Sequence, residues 1–251
     1  MIALRSLAFQ ILFYANLIGQ LLFFSPVFFL LPERTCWRIV KNWARSSLWL
    51  LHRVAGTRSE IVGQEHLPAG ATIIASKHQS FWETFALVPE LDRPTFILKK
   101  ELMAIPVFGA YCRRMGMIPV DRSRRGAVLA SMLEDVEKAM AEGRQIIIFP
   151  EGTRSYGRGL LPFKMGAFHI ALEAKVPLVP VCMSSTHQQF KLNRWNNGKV
   201  IIQMLAPVEL SKEQNIRQFA KDLRNQMAAQ ISALDAELGN DYTSQQQPQS
   251  E

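Results

Sequence analysis

Three short segments carry residues whose types and spacing suit proton transfer and anion binding. The first holds His78 and Glu83, five positions apart, after an apolar run that ends at Ala75. A carboxylate that accepts a hydrogen bond from one imidazole nitrogen fixes the tautomer and leaves the other nitrogen as a base. On an unbroken helix the two side chains would lie about 140° apart, at about 100° per residue. The pair can meet only if the chain turns between them; a solvated histidine with an unrelated glutamate is the alternative.

The other two segments carry arginines that suit an anionic ligand. Arg122 closes an apolar stretch, where its guanidinium can enter a cleft. Residues 148–155 read Ile-Phe-Pro-Glu-Gly-Thr-Arg-Ser. They contain an acid (Glu151), a glycine (Gly152) and an arginine (Arg154) within four positions. Glycine allows the backbone to approach a ligand, and the planar fork of guanidinium donors fits a phosphate. We therefore expect an anion-binding site on these segments.

The same sequence does not match several other classes of enzyme. Gly152 and Gly157 have the spacing of a phosphate loop, but residues 158–159 are Arg-Gly where a nucleotide triphosphatase needs Lys followed by Ser or Thr. No Gly-x-Ser-x-Gly occurs, which disfavours a serine hydrolase. The five histidines form no His-Glu-x-x-His pair, and the three cysteines are far apart. Neither a zinc protease nor a disulfide scaffold is indicated.

Composition narrows the range of partners. The 251 residues include 29 Lys and Arg against 21 Asp and Glu, which gives a net charge of +8, and 48% of the residues are hydrophobic. The apolar content rules out a disordered chain, and the positive charge points to an anionic partner such as nucleic acid or a phospholipid surface.

Apolar segments of strand length alternate with helical periodicity along most of the chain. Strands are predicted at residues 60–62, 71–75, 95–98, 117–120, 145–149, 178–181 and 200–204. Helices are predicted at residues 81–88, 128–140, 167–174 and 216–234, with a broken helix at 101–111. Ser211 and Gln214 match a capping box before the last helix. This alternation predicts an α/β domain with a largely parallel central sheet flanked by helices, and places the three segments at strand ends.

The N-terminal sequence favours a membrane partner. Residues 6–31 are 26 consecutive residues without a charge, and about 20 apolar residues suffice to span a bilayer. A signal peptide is the alternative, but its apolar core would be shorter and a small-residue cleavage site would follow. Three arrangements are compatible with the sequence: a crossing, a hairpin around Ser25 and Pro26, or a helix lying flat on the membrane.

A second helix, amphipathic, is predicted over residues 35–54. One face carries Arg34, Arg38, Lys41 and Arg45 and the other carries Trp37, Val40, Ala44, Leu48 and Leu51. We expect the cations at lipid phosphates and the apolar face in the acyl boundary, with packing of that face on the core as the alternative. The cations after the uncharged run place the remaining chain in the cytoplasm. The predicted organisation is a membrane-associated segment (1–57), an α/β domain (58–238) and a flexible tail (239–251).

Four motifs, in this order, resemble those of the glycerolipid acyltransferases. They are His78-x4-Glu83, Gly116…Arg122, Phe149-Pro-Glu-Gly-Thr-Arg-Ser155 and Val176-Pro-Leu-Val-Pro180. The likeness covers residues 61–207 and is greatest over residues 151–181. The first motif of the family usually ends in Asp, whereas this chain has Glu83, which keeps the carboxylate on a side chain one methylene longer.

The resemblance implies a role for each matching residue. His78 is expected as the general base and Glu83 as the carboxylate that orients it. The residues expected to bind the acceptor are Lys99, Arg122, Glu151, Gly152, Thr153 and Arg154. The sequence indicates no metal and no bound cofactor.

The reaction implied by the resemblance is acyl transfer from acyl carrier protein or coenzyme A to the sn-2 hydroxyl of 1-acyl-sn-glycerol 3-phosphate, giving phosphatidic acid for phospholipid biosynthesis. Thiols have a pKa of about 8.5, so a thiolate leaves readily and direct transfer suffices. The expected partners are the phospholipid surface, lysophosphatidic acid and the thioester donor, at the cytoplasmic face of the inner membrane.

Two alternatives stay open. An acyltransferase for another lyso-lipid, such as a lyso-ornithine lipid or a lysophospholipid, would use Arg154 for a carboxylate or a different phosphate. A basic membrane-anchored module that binds nucleic acid or acidic proteins would not need His78. The cations follow strand ends beside a histidine and an acid, and no nucleic-acid motif is present, which favours an enzyme.

Overall fold

Strands and helices alternate along the computed structural model, which describes residues 2–121, 128–155, 159–185 and 197–239. The strands are β1 (Thr57–Val62), β2 (Thr72–Ser76), β3 (Pro94–Lys99), β4 (Ile118–Val120), β5 (Gln145–Ile148), β6 (Leu178–Met183) and β7 (Gly198–Met204). The α-helices are α1 (Ile2–Phe28), α2 (Glu33–Leu50), α3 (Trp82–Ala86), α4 (Phe108–Arg114), α5 (Val128–Ala141), α6 (Gly166–Ala174) and α7 (Ile216–Glu237). Each strand and helix predicted from apolar periodicity is present, and the broken helix is divided into a 3-10 turn, Lys100–Ala104, and α4.

The seven strands form one sheet in the order β1-β7-β6-β2-β5-β3-β4. Neighbouring strands are parallel except β6 and β7, so the prediction of a largely parallel sheet is confirmed. Ala75 of β2 lies opposite both Ile148 of β5 and Pro180 of β6. The chain therefore leaves β2 and β5 side by side at the same edge of the sheet, where the loops that follow them meet.

Consecutive residues of the central strands point to opposite faces of the sheet and enter two separate cores. Ile73 and Ile146 pack on the face covered by α5, α6 and α7. Ile74 and Ile147 pack on the face covered by α1, α2 and α3. Burial on both faces explains why these strands are apolar throughout rather than alternating with polar residues.

The uncharged N-terminal segment forms one continuous helix, α1. Pro26 lies in its last turn, so the hairpin around Ser25 and Pro26 is wrong. Phe9 and Phe13 are buried against the domain, whereas many other apolar side chains of the helix are exposed. By length and composition α1 is able to cross a membrane.

The amphipathic helix is present as α2 and continues into a π-helical turn, Leu51–Ala55. The exposed cations are Arg34, Arg38 and Arg45. The apolar face is placed differently from the prediction, because Trp37 and Ala44 are buried inside the protein. Residues of α1, α3 and α4 cover that face, so the alternative, packing on the core, is confirmed, and the expected placement of this face in the acyl boundary of the bilayer is wrong.

Helix α7 is capped by a different residue from the one predicted. Asn215 Oδ1 accepts hydrogen bonds from the backbone N–H groups of Arg217 and Gln218, each at 3.1 Å. The Ser211 N–H does donate to Gln214 Oε1, at 3.3 Å, but this pair closes a separate turn before the helix. The capping-box prediction is therefore wrong, since Asn215 caps the helix.

Candidate active site

His78 and Glu83 meet in the loop that leads from β2 into α3. His78 Nδ1 lies 2.8 Å from Glu83 Oε1. The histidine ring stacks on Phe149, with the ring centroids 3.9 Å apart. The Glu83 side chain is fully buried, and the His78 side chain is 15% exposed. The predicted contact is present, and it leaves Nε2 as the ring nitrogen available to a substrate.

The Glu83 carboxylate also holds the loop around it. Oε1 accepts hydrogen bonds from the backbone N–H groups of Gln79 and Ser80, at 2.7 Å each. Oε2 accepts a hydrogen bond from Ser80 Oγ at 2.7 Å. Hydrogen bonds to a carboxylate are short and strong. The turn between His78 and Glu83 is therefore wrapped around the acid, which is how two residues five positions apart come into contact.

The loop after β5 holds the backbone of His78. Glu151 Oε1 accepts a hydrogen bond from the His78 N–H at 2.8 Å, and Oε2 accepts one from the Leu161 N–H at 2.9 Å. The Ser155 N–H donates to the His78 carbonyl at 2.8 Å. Burial raises the pKa of Glu151, against the lowering effect of its two backbone hydrogen bonds. Both polar groups of the His78 backbone are thus bound by this loop.

The structure brings most of the expected acceptor-binding residues to one cavity. Its lining includes His78 together with Lys99, Gly152, Thr153 and Arg154. Glu151 instead is buried beside the His78 backbone, with each oxygen bonded to a backbone N–H, which differs from the expected contact with the acceptor. Arg122 lies outside the described residues. The substrate-binding roles of these residues stay predictions.

Lys164 is a further cation of this cavity, to which the sequence analysis assigned no role. Its side chain passes close over Gly152, because a Cβ added to Gly152 would lie 2.7 Å from Lys164 Nζ and 2.8 Å from its Cδ. The Lys164 N–H also donates to the Pro150 carbonyl at 2.8 Å. Gly152 has a φ of +69°, which favours glycine there, and the missing Cβ leaves the space through which the Lys164 side chain passes.

The cavity has a volume of about 1090 Å³ and joins this polar end, defined by His78, Lys99, Arg154 and Lys164, to an apolar interior. Apolar lining residues from α1, α2, β3 and α4 include Leu21, Trp37, Val40, Phe96, Phe108 and Tyr111. Pockets for small ligands have volumes of about 300–1,000 Å³. A space of this size with cations at one end suits a molecule that has an anionic head and a long apolar part.

Lys77, which precedes His78, is buried below the loop. Burial lowers its pKa to about 8, and the nearby Glu151 and Asp235 oppose that lowering. Asp235 of α7 is buried as well, where it accepts hydrogen bonds from the backbone N–H and the hydroxyl of Ser185, each at 2.6 Å. The interior beneath His78 thus contains two buried charged residues, Lys77 and Asp235, that the sequence motifs did not connect with the site.

Known proteins resemble this chain in sequence. A family model described as "Acyltransferase" matches residues 58–184. The 1-acyl-sn-glycerol-3-phosphate acyltransferase of Salmonella typhimurium is 40% identical over 172 residues, which are 67% of this chain and 70% of that protein. The Escherichia coli protein of the same name is 39% identical over the same shares. The Pseudomonas aeruginosa protein of that name is 31% identical over 240 residues, which are 94% of this chain and 92% of that protein.

A solved structure shares the fold. The crystal structure of the 1-acyl-sn-glycerophosphate acyltransferase PlsC from Thermotoga maritima matches with a TM-score of 0.76, covering 93% of this chain and 98% of that chain at 22% identity. The α/β fold predicted from sequence is therefore confirmed. The region matched by the family model contains both His78 and the loop that holds its backbone. The chain belongs to the acyltransferase family, among relatives named 1-acyl-sn-glycerol-3-phosphate acyltransferase.

Proposed function

We propose that this acyltransferase moves a fatty acyl group from an acyl thioester to the 2-hydroxyl of 1-acyl-sn-glycerol 3-phosphate, with phosphatidic acid as the product. The names of its relatives support this acceptor. The observation that carries the proposal is the 2.8 Å contact between His78 Nδ1 and Glu83, at the point where the polar end of the cavity meets its apolar interior. A phosphate, a reacting hydroxyl and an alkyl chain need these features side by side.

His78 acts as the general base in this reaction. Its Nε2 takes the proton of the acceptor hydroxyl while the hydroxyl oxygen attacks the thioester carbonyl carbon, and Glu83 stabilises the imidazolium that forms. The C–S bond then breaks, and Nε2 returns the proton to the departing thiolate. General base catalysis contributes about 10²–10⁴-fold to the rate. An ester bond replaces the thioester bond directly, so we expect no metal or bound cofactor to take part.

Three cations at the polar end of the cavity bind the acceptor phosphate. Arg154 offers two parallel N–H donors, and Lys99 and Lys164 act as point charges. Ser155 follows Arg154 directly and is bonded to the His78 carbonyl, so the distance between the phosphate site and the base is set by the backbone. Arg122 is proposed to join them from the segment after β4.

The reaction takes place at a membrane surface. Exposed apolar side chains of α1 include Leu4, Ile11, Leu22 and Phe23. Leu21 of the same helix lines the cavity, so a lyso-lipid passes from the bilayer to His78 without full transfer through water. The exposed arginines of α2 contact lipid phosphates. Cations that follow an apolar helix favour the cytoplasmic side of the inner membrane.

The variant His78→Ala tests the base. We expect turnover to fall by about 10²–10⁴-fold, while the melting temperature and the affinity for vesicles stay unchanged. The matched control is His169→Ala, because His169 is a half-buried histidine of α6 outside the cavity lining, and it is expected to retain activity. Undiminished turnover of His78→Ala would overturn the assignment of the base.

The acceptor and the donor are tested together. Wild-type enzyme is assayed with acyl carrier protein and coenzyme A thioesters against 1-acyl-sn-glycerol 3-phosphate, lyso-ornithine lipid and lysophosphatidylethanolamine. The proposal expects the highest kcat/KM with 1-acyl-sn-glycerol 3-phosphate. A higher value with either other lyso-lipid would overturn the acceptor and leave acyl transfer itself standing.

A further inference from the structure

A second apolar surface lies on the loop between the 3-10 turn and α4. Residues 104–107, Ala-Ile-Pro-Val, are all exposed and have no polar side chain; they are called the apolar loop below. Ile105 is 46% exposed and Val107 is 37% exposed. Single exposed apolar residues are ordinary, but a run of them marks a surface that contacts a partner or a membrane.

The backbone of the apolar loop is strained at Val107. Val107 has a φ of +62° and a ψ of −57°, and the Phe108 N–H donates to the Pro106 carbonyl at 2.6 Å, which closes a three-residue γ-turn. This kind of γ-turn is rare, and a positive φ is a genuine outlier for a β-branched residue. Strain of this kind persists where the surrounding structure imposes it, and it concentrates at functional sites.

The contacts that impose this turn come from the start of α4. The Gly109 N–H donates to the Ile105 carbonyl at 2.8 Å. A Cβ on Gly109 would collide with the Met103 carbonyl oxygen, which accepts a hydrogen bond from the Arg113 side chain at 2.9 Å. The apolar loop is thus folded tightly onto α4 and presents its side chains on a fixed surface.

Helix α4 is attached in turn to the second half of α1. Tyr111 stacks on Phe28 with the ring centroids 3.9 Å apart, and its hydroxyl donates to the Leu21 carbonyl at 3.0 Å. Arg114 donates to the Leu31 carbonyl at 2.8 Å. This part of α1 and the turn after it carry the exposed apolar side chains Leu22, Phe23, Val27, Phe29 and Leu30. The apolar loop is therefore fixed, through one short helix, to the apolar surface that we place in the membrane.

Cations and the cavity lie next to the apolar loop in sequence. Lys99, Lys100 and Arg113 are exposed on either side of it. Exposed cations beside apolar side chains are typical of a surface that binds anionic lipid. Leu102 and Phe108, which flank the loop, line the cavity that contains His78. The loop therefore borders the route by which a lipid reaches the base.

We propose that the apolar loop inserts into the same lipid leaflet that α1 contacts, and that it forms a second anchor beside the cavity. The inference rests on the proposed membrane location of the enzyme. It adds Ile105 and Val107 as lipid contacts and gives a reason for the strained turn, which keeps two apolar side chains exposed. Lys99 and Lys100 are then placed at the level of the lipid phosphates.

An environment-sensitive dye on single cysteines tests the insertion. The three native cysteines are buried, so Ile105→Cys, Phe23→Cys on α1 and Lys221→Cys on α7 are labelled selectively. On vesicles of phosphatidylethanolamine and phosphatidylglycerol we expect a blue shift, with quenching by a quencher in the acyl region, at 105 and 23 but not at 221. A shift at 23 alone would overturn this inference and leave the proposed function intact. No shift at either position would overturn the membrane location as well.

The double variant Ile105→Gln/Val107→Asn tests whether the apolar loop contributes to membrane affinity without taking part in catalysis. We expect the affinity for these vesicles to fall about tenfold or more, because two apolar side chains lose their burial in lipid. The rate with a short-chain, water-soluble acceptor is expected to stay unchanged. Asn tolerates a positive φ better than a β-branched residue does, so Val107→Asn alone should keep or raise the melting temperature. Unchanged vesicle affinity, or a lowered rate with the soluble acceptor, would overturn the anchor.

Discussion

Glu151 and His78 lie 73 positions apart in sequence and are joined by a 2.8 Å hydrogen bond between a buried carboxylate oxygen and a backbone N–H. The His78 carbonyl is bound by Ser155, four residues after Glu151. The loop after β5 and the loop after β2 are therefore one rigid unit. The proposed base is held by its main chain, and the nearby Arg154 belongs to the same unit.

Replacement of Glu151 by Gln is expected to loosen this unit. Two backbone N–H groups need acceptors, and an amide supplies only one oxygen, so its NH2 group would face a second donor. The free energy of unfolding should fall by about 1–3 kcal/mol, and kcat should fall with it. Chemical denaturation and steady-state assays measure both, with Glu173→Gln on the surface of α6 as the control. Unchanged stability would show that the carboxylate does not support the loop.

Two variants of Glu83 separate its charge from its geometry. Glu83→Gln keeps an oxygen for the His78 ring and the two backbone N–H groups but removes the charge that stabilises an imidazolium. We expect the melting temperature to change little and kcat to fall by about 10²-fold or more. Glu83→Asp keeps the charge but shortens the side chain by one methylene, so the carboxylate cannot reach all its partners. A fall in both melting temperature and kcat is expected, and full activity of Glu83→Gln would contradict the electrostatic role.

Lys164 and Gly152 are expected to act as a pair on the acceptor. Lys164→Ala should raise the KM for 1-acyl-sn-glycerol 3-phosphate about 10–100-fold, the value of one hydrogen bond to a charged group, with a smaller effect on the KM for the thioester. Gly152→Ala places a Cβ 2.7 Å from Lys164 Nζ and should displace the lysine. The double variant should therefore raise the acceptor KM by less than the product of the two single effects, because the lysine that Gly152→Ala displaces is already absent and only the strain of the positive φ at residue 152 remains. Independent, multiplicative effects would show that the two residues act separately.

The exposed arginines of α2 are expected to contribute to membrane affinity. Replacement of Arg34, Arg38 and Arg45 by Gln should weaken binding to anionic vesicles about 100-fold at low salt, because each cation near a lipid surface contributes about 1 kcal/mol. High salt should reduce this difference, since salt screens exposed charges. Sedimentation with vesicles of increasing phosphatidylglycerol content measures the effect.

The control for this triple variant removes the same charge from the opposite layer of the fold. Lys212, Arg217 and Lys221 are exposed residues on α7 or just before it. Their replacement by Gln should leave the affinity for vesicles unchanged. Equal losses in both triple variants would show that net charge, rather than the placement of the α2 arginines, determines binding.

The buried Lys77 predicts a dependence of stability on pH. The pKa of Lys77 is lowered from 10.5 to about 8 by burial, so between these values the unfolded chain holds a proton that the folded protein has released. Stability rises with pH wherever the unfolded chain binds more protons. Relative to Lys77→Met, the wild type should gain at most about 3 kcal/mol of unfolding free energy from pH 8 to 10.5. A constant difference between the two proteins over this range would contradict the lowered pKa.

The strands and helices could be predicted from the periodicity of apolar residues, because the central strands are buried on both faces and the helices on one. The position of the β2 and β5 loops at the same edge followed from parallel pairing, which is why His78 and the residues 151–155 were expected together. The antiparallel position of β7 was not readable, since a strand's direction depends on the path of the chain that precedes it. The predicted cap of α7 was wrong because two consecutive turns, one at Ser211–Gln214 and one beginning at Asn215, both offer side chains that suit a cap.

The sequence predicted the chemistry of the candidate site better than the contacts between its residues. The types of His78, Glu83 and Arg154 indicated a base, an orienting acid and an anion site. The sequence did not indicate that Glu151 binds the backbone of His78, because a carboxylate serves a ligand or an N–H equally well. It did not predict the contact between Lys164 and Gly152, because that contact depends on the path that the chain takes between the two residues.

The amino-acid sequence by itself determined which residues are able to do chemistry, because this follows from the side-chain type. It also determined which segments form strands and helices and which of their faces are apolar, because these follow from the periodicity of apolar residues. Tertiary packing alone decided which apolar faces are covered. The apolar face of α2 is buried by its neighbours, whereas the outer side of α1 and the apolar loop stay exposed. A side chain is buried only when another part of the chain packs against it, and that part is distant in sequence.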